Sequence, residues 1–303
     1  MKINNKISPK VFFAVLDWLG KSGLLYLYLY IMNKKIIAIV IIFFHSFFSL
    51  GQDTRLPYQM KIVPLPMLQG MVVELCRVPD TSVMPLTGTG CFIFHNDNLY
   101  LVTAAHVARY MDSKSFIFGR GDSGHTVKVL IQDIDSTNKI KWVHHSLADI
   151  SILKVNARGE MRNSIMTIAF NSNMFERRLV VPDPGVELTL LGFPLGLGIN
   201  ASNGKSSTYF SAFSKRTYAS SGLFSHPRGD NNEMSSFFSL QDPITQGYSG
   251  GPVFDISIYS ALDGVATGNG LKCYGFAHGT LSDNTGGKIG VVTPSYFLFD
   301  LIY

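Results

Sequence analysis

Gln246-Gly247-Tyr248-Ser249-Gly250-Gly251-Pro252 is the stretch on which the reading of this chain turns. A serine between glycines, stopped by a proline, sets a hydroxyl on a tight turn whose dihedrals glycine adopts cheaply. Upstream, Ala148-Asp149-Ile150 supplies a carboxylate and Thr103-Ala104-Ala105-His106 an imidazole. A serine hydroxyl is a weak nucleophile at neutral pH. It needs a base within hydrogen-bond reach, and the base needs an orienting group. His106 is the candidate base, Asp149 the orienter and Ser249 the nucleophile; they lie 43 and 100 positions apart, so only a fold can join them. Asp149 is preferred to Asp97, Asp122, Asp133 and Asp135 because it directly precedes apolar Ile150-Ser151-Ile152-Leu153, where a carboxylate can be anchored and partly buried. The backbone N–H groups of Gly247 and Ser249 are the candidate donors to an oxyanion. Alone, Ser-Gly-Gly-Pro is a common turn and a histidine after Thr-Ala-Ala a packed side chain. Together, in this order, they read as catalytic.

The surrounding pattern is strands and turns. Strands are expected at Met71–Val78, Cys91–Phe94, Leu99–Thr103, Thr126–Ile131 and Ile150–Val155, with a turn at Asn96-Asp97-Asn98 and a helical turn over Ala104–Tyr110. In the second half they fall at Val186–Leu191, Ser207–Tyr218, Ser236–Leu240, Pro252–Phe254, Cys273–Ala277 and Ile289–Val292, with a terminal helical turn over Ser295–Ile302. Long amphipathic helices are absent from the pattern. An all-β chain of two small closed sheets follows, with the boundary near Asn171–Asp183. Closure would leave no exposed sheet edges. The expected organisation is a lead-in over 52–69, a first barrel over 70–175 carrying His106 and Asp149, and a second over 176–303 carrying Ser249.

Residues 1–51 read as a targeting region. Asn33-Lys34-Lys35 precedes an apolar run, Ile36 to Phe44, that continues to Ser49-Leu50-Gly51. This is the charged, apolar, small-residue order of a secretory signal. Met32 is then the natural start, with the signal over 32–51 and cleavage after Gly51. The alternative is an uncleaved segment from Leu24 to Leu50, costly because Lys34 and Lys35 would sit near its middle. Either way the remainder is expected to be exported, periplasmic or secreted, with membrane contact only through the N-terminal segment if it is retained. Apolar residues make up 46% of the 303, enough for a sizeable core, and the net charge of +5 is scattered without a basic block, which argues against nucleic-acid binding. Cys76, Cys91 and Cys273 show no CxxC or zinc-like spacing, so neither metal nor cofactor is expected. Cys76 and Cys91 either pair across a hairpin or remain buried thiols. His144 and His145 read as surface histidines.

These residues resemble the chymotrypsin-like (trypsin-like) serine peptidase family. The resemblance rests on Leu101-Val102-Thr103-Ala104-Ala105-His106, Asp149-Ile150-Ser151-Ile152-Leu153 and Gly247-Tyr248-Ser249-Gly250-Gly251-Pro252. Softer matches are Gly88-Thr89-Gly90-Cys91-Phe92-Ile93, Leu191-Gly192-Phe193-Pro194 and Tyr274-Gly275-Phe276-Ala277-His278-Gly279. It covers about residues 70–303 and implies two packed six-stranded antiparallel β-barrels with the triad in the cleft. It also implies an exported bacterial type without a PDZ module, acting on protein or peptide substrates. Pro243 and Ile244 would line the first specificity pocket, with His278 and Gly279 on another wall. Asp242 weakly supports a preference for Arg or Lys before the cut, whereas His278 would suit an acidic residue. Tyr248 stands where many members carry an Asp that pairs with a freed N-terminus, so activity is expected not to need such a terminus.

The leading function is a serine endopeptidase working through an acyl-enzyme. One alternative is a catalytically weak protein of the same fold that binds a partner. The other is a serine esterase, since Gly247-Tyr248-Ser249-Gly250-Gly251 also fits the G-x-S-x-G elbow. The elbow needs a strand-to-helix turn with Asp and His after the serine, which Pro252 and the chain order oppose.

Overall fold

The computed structural model describes residues 65–77, 85–121, 124–135, 140–197, 210, 212–228, 230–256 and 271–302. The targeting segment expected over 1–51, with its start at Met32, lies outside them. Among the described residues no helix is long and apolar enough to cross a membrane.

Among the described residues two mainly antiparallel sheets make up the fold. The first contains β1 (Val72–Arg77), β2 (Leu86–His95), β3 (Asn98–Thr103), β4 (Phe116–Arg120), β5 (Thr126–Leu130), β6 (Trp142–His144) and β7 (Ser151–Val155), in the order β5-β4-β1-β2-β3-β7-β6. A two-residue strand, β8 (Phe170–Asn171), joins β2 in parallel. The second contains β9 (Glu187–Gly192), β10 (Phe213–Tyr218), β11 (Phe224–Pro227), β12 (Met234–Leu240), β13 (Pro252–Asp255), β14 (Lys272–Ser282) and β15 (Lys288–Pro294), in the order β10-β9-β13-β14-β15-β12-β11. Short helices are α1 (Leu65–Gln69), α2 (Ala105–Ala108) and α3 (Gly159–Ile168), and a 3-10 turn covers Ser295–Asp300.

The two closed six-stranded barrels expected from the sequence do not form. Among the described residues the sheets have eight and seven strands, and the terminal strands of each path do not pair with one another. In the first sheet β5 runs into a 3-10 turn at Ile131–Ile134, and the opposite edge, β6, is three residues long. In the second, Ala219 beyond β10 makes a single isolated bridge to Leu240 of β12 in place of a ladder. Short edges manage their unpaired backbone groups without closure.

Strand alternation explains the layering. On β3, Leu99 and Leu101 face the first sheet's own core with Val73, Leu75, Phe92 and Leu153. Tyr100 and Val102 face the other way, joining Cys91, Ile93, Ile152, Leu191, Phe254 and Phe276 in a core that unites residues of both sheets. Both faces are buried, so the strand reads as a continuous apolar run. Phe170, Phe175, Phe254 and Phe276 form an aromatic cluster in that shared core, with centroids 5.3 to 6.3 Å apart. The β2–β3 hairpin turns on Asn96 and Asp97, at φ 45° and 64°. Asn and Asp tolerate that left-handed region, which a two-residue hairpin loop needs at both positions.

The lead-in expected over 52–69 contains α1, which buries Leu68 and donates from Gln69 Nε2 to the Ala212 carbonyl at 2.8 Å. All three cysteines are buried free thiols. In the β1–β2 ladder Cys76 faces Thr87 and Cys91 faces Val72, so the two are not opposite each other.

Candidate active site

His106 stands on α2, directly after β3 delivers Thr103. Asp149 ends the loop before β7 and is fully buried. The Asp149 carboxylate takes the His106 backbone N–H on Oδ1 at 2.9 Å and the ring Nδ1–H on Oδ2 at 2.7 Å. An ionised carboxylate only accepts, so Nδ1 carries the proton and Nε2 is left as the basic nitrogen.

Ser249 is half-buried, in the turn that leads into β13. Its Oγ donates to the His278 carbonyl at 3.0 Å, and among the described residues it makes no hydrogen bond to His106. His278 links the parts: its ring lies edge-on to that of His106, 5.4 Å between centroids, and its Nδ1 is 2.5 Å from Asp149 Oδ2. The β14–β15 register shifts between Ala277 and Gly279. His278 sits at this bulge, a feature that re-aims side chains beside active sites.

The glycines flanking Tyr248 and Ser249 are required by geometry. Gly247 has φ +96° and Gly250 φ +85°, and a Cβ would lie 2.2 Å from the Phe193 carbonyl oxygen and from Thr89 O, respectively. Among the described residues no group of the protein accepts from the N–H of Gly247 or of Ser249. Thr89 of β2 fixes this turn from the other sheet. Its Oγ1 donates to the Gly247 carbonyl at 2.7 Å and accepts from Phe193 N–H at 3.1 Å, and its N–H donates to the Ser249 carbonyl at 2.8 Å. Beyond Ser249 the chain enters strand β13, not a helix, so the strand-to-helix elbow of the esterase reading is missing.

Burial disfavours a proton on His106, but the hydrogen bond and charge of Asp149, with Asp230 adding, outweigh it; Arg228 opposes them, and the net shift is upward. Burial also disfavours the charged form of Asp149. The hydrogen bonds from His106 and His278 overcome this and hold its carboxyl well below the usual carboxylate range.

His106, Asp149 and His278 also form a candidate metal-ligand group. Their 2.7 and 2.5 Å separations are those of hydrogen bonds. Four-coordinate zinc with bonds of about 2.0–2.1 Å would hold its ligand atoms about 3.3 Å apart. In this structure the two imidazoles meet the carboxylate as hydrogen-bond partners.

Of the expected specificity residues, Ile244 is buried, and its backbone N–H and carbonyl both bond to Thr280 Oγ1 at 2.8 Å. The Pro243 carbonyl accepts from Lys215 Nζ at 2.6 Å. Nothing lies within 4 Å of a Cβ built on Gly279, so that wall is open. His278 has spent Nδ1 on Asp149. Tyr248 is buried in the second sheet's core with Val253 and Ala277. His145 is not a surface histidine: its side chain is 9% exposed, its Nδ1 accepts from the N–H groups of Leu147 and Ala148, and its Nε2 meets Asp300. It therefore shapes the loop that presents Asp149.

Two groups at the site escaped the sequence reading, Thr89 and the buried Arg228. Arg228 Nη2 donates to Asp149 Oδ1 at 3.2 Å and its Nη1 to the Ala148 carbonyl at 3.0 Å. Gly88-Thr89-Gly90 entered the sequence reading only within a soft family match that gives Thr89 no role, and nothing local marks Arg228.

The family assignment follows from a match to the trypsin-like peptidase domain over residues 88–258, which takes in all three candidate catalytic residues. The chain belongs to the trypsin-like peptidase domain family. Among solved structures, this peptidase domain is similar to the MamO protease domain from Magnetospirillum magneticum, at 12% identity and TM-score 0.51, covering 78% of this chain and 98% of that one. It is also similar to the Rv3671c protease from M. tuberculosis in its active form, at 16% identity and TM-score 0.48, covering 77% and 79%. Comparison with curated proteins gave no match. At the level of the family, the domain is a peptide-bond hydrolase acting on protein or peptide substrates.

Proposed function

We propose that the domain is a serine endopeptidase that works through an acyl-enzyme. Ser249 Oγ attacks the scissile carbonyl carbon while His106 Nε2 takes its proton; the proton then passes to the leaving amine, and water repeats the sequence to release the acid. Asp149 holds the imidazole in the tautomer that leaves Nε2 basic. The N–H groups of Gly247 and Ser249 receive the oxyanion. The observation that carries this reading is the 2.7 Å bond between His106 Nδ1 and the buried Asp149 carboxylate. The attack requires Ser249 Oγ to leave the His278 carbonyl by rotation about its Cα–Cβ bond, and catalytic hydrogen bonds often tighten only with substrate bound.

Pro243, Ile244, His278 and Gly279 are proposed to border the substrate residue before the cut, His278 through its backbone. Buried Tyr248 cannot form a salt bridge with an ammonium group, so trimming within residues 52–64, short of α1, should leave activity unchanged. An exported location is proposed from the signal-like order over 32–51. One observation favours the second reading, a weak peptidase-fold binding protein: Ser249 Oγ is engaged by a carbonyl and not by the imidazole.

A fluorophosphonate probe with a casein hydrolysis assay separates the two. Labelling and hydrolysis by the wild type, both abolished in Ser249→Ala, support the peptidase. An unlabelled, inactive wild type with intact fold would leave the binding protein.

A further inference from the structure

Arg228 follows β11 in the second sheet, and its side chain is 1% exposed. Burying a guanidinium costs several kcal/mol unless its charge and N–H groups are met. Here they are met at the catalytic carboxylate. One edge reaches the first sheet, where Nη1 donates to the Ala148 carbonyl at 3.0 Å and Nη2 to Asp149 Oδ1 at 3.2 Å. The other grips Asp230, with Nε to Oδ1 at 2.9 Å and Nη2 to Oδ2 at 2.7 Å. Asp230 Oδ2 in turn lies 2.8 Å from Arg109 Nη1, and Arg109 caps the helix that carries His106. The β11–β12 turn holds Arg228 by its own backbone, donating to the Glu233 carbonyl at 2.9 Å and accepting from Asn232 N–H at 2.9 Å.

A string of alternating charge therefore runs Asp149, Arg228, Asp230, Arg109. It fixes both the carboxylate and the peptide carbonyl just before it. A guanidinium suits this because its planar fork presents several N–H groups in fixed directions. The groups around His106 are Asp149 from the loop before β7, His278 from β14, Arg228 and Asp230 from the β11–β12 hairpin, and Arg109 beside it on the chain. His144 of β6 also feels Arg109 and Arg228.

We propose that Arg228 is a positioning residue for the catalytic carboxylate, and that the β11–β12 hairpin, through Arg228 and Asp230, sets the geometry and charge balance of the His106–Asp149 pair. This rests on the serine-peptidase reading.

The test is the pH dependence of kcat and kcat/KM for peptide hydrolysis, per active site titrated with fluorophosphonate, in wild type, Arg228→Met, Arg228→Lys and Asp230→Asn. Loss of one hydrogen bond to a charged group corresponds to about a 10- to 100-fold fall in kcat for Arg228→Met, with KM little changed. Arg228 disfavours a proton on His106 and Asp230 favours it. The acid limb should therefore move to higher pH in Arg228→Met and to lower pH in Asp230→Asn. Arg228→Lys keeps the charge without the fork, so kcat should fall while the limb stays. A purely architectural Arg228 would change the number of titratable sites and leave rates per site and the acid limb alone, which would overturn the proposal. If Arg228→Met does not fold, Arg228→Lys and Asp230→Asn decide it by the same criteria. An unlabelled, inactive wild type would sink the peptidase reading and this one with it. A labelled, active wild type with unmoved variants would sink this one alone.

Discussion

His278 and His106 donate to the same atom, Oδ2 of Asp149, at 2.5 and 2.7 Å, with their rings 81° apart. One carboxylate oxygen thereby fixes two tautomers, since each imidazole must carry its proton on Nδ1. The second imidazole comes from the other sheet, at the β14 bulge, so the orientation of the base depends on the packing of the two sheets.

Removing that second donor should slow catalysis without loosening substrate binding. Phe237 packs against the His278 ring at 4.9 Å between centroids, so His278→Ala also opens a cavity, whereas His278→Phe keeps bulk and removes only the donor. A fall of about tenfold or more in kcat in both variants, with KM within about twofold, is expected for a lost charge-assisted bond. Wild-type activity in His278→Phe would reduce His278 to a packing role. Because Nδ1 is committed to Asp149, peptides with Glu before the cut should gain no advantage over Gln.

The wild-type acid limb of kcat/KM should lie above the ordinary imidazole value of 6.5, because the net shift on His106 is upward. In the proposed mechanism Nε2 must be unprotonated to take the serine proton, so activity should rise with pH through that limb and then level. Stability runs the other way. The raised His106 contributes stability that is fully present below its unfolded value and is lost as pH rises through its folded value. Activity and melting temperature measured on one pH series should diverge above pH 6.5. An acid limb below 6.5 would contradict the charge balance described for the site.

Thr89→Val should damage both stability and turnover. Valine matches threonine in shape but leaves the Gly247 carbonyl and the Phe193 N–H without the hydroxyl that serves both. Each buried orphan costs about 1–3 kcal/mol, so urea unfolding should show a loss of about 2–6 kcal/mol. The Gly247 peptide would also lose an anchor next to a proposed oxyanion donor, and kcat should fall more than KM rises. An unchanged kcat in a folded variant would detach Thr89 from the oxyanion turn.

What could be read from the sequence, and what could not, divides by range. The β2–β3 hairpin was legible because Asn96 and Asp97 mark their own turn and the flanking strands are apolar on both faces. His106, Asp149 and Ser249 were legible as candidates because each sits in a local pattern, and the structure joins the first two by a 2.7 Å hydrogen bond. Arg228 and the roles of Thr89 and the His278 ring were not, because they act across 79, 158 and 129 positions, and the soft matches that contain Thr89 and His278 do not name these partners. Helix α3 was missed since Ile165 is its one fully buried side chain, which leaves little apolar periodicity. Closure was inferred from strand number and the cost of open edges, but the ends of each sheet stop pairing first.

Glu74 gives the last prediction. It lies on β1 opposite Thr89, 3% exposed, and its carboxyl takes no hydrogen bond among the described residues. It packs against the turn at Pro194–Gly196, where a Cβ on Gly196 would lie 3.2 Å from Oε1. Burial pushes its carboxyl up to about 8, so the folded protein holds it neutral at pH 7. The sign follows from linkage: below the unfolded value of 4.5 both states are protonated, and between there and about 8 only the unfolded state ionises, which costs the native state stability. Glu74→Gln cannot ionise. Its advantage over the wild type should therefore be smallest near pH 4, grow through pH 4.5 to 8 and level above that. At about 1.4 kcal/mol per unit the ceiling is about 5 kcal/mol. Urea unfolding of the two proteins at pH 4.5, 6, 7 and 8 reads this directly, and parallel curves would mean that Glu74 is charged in the folded state.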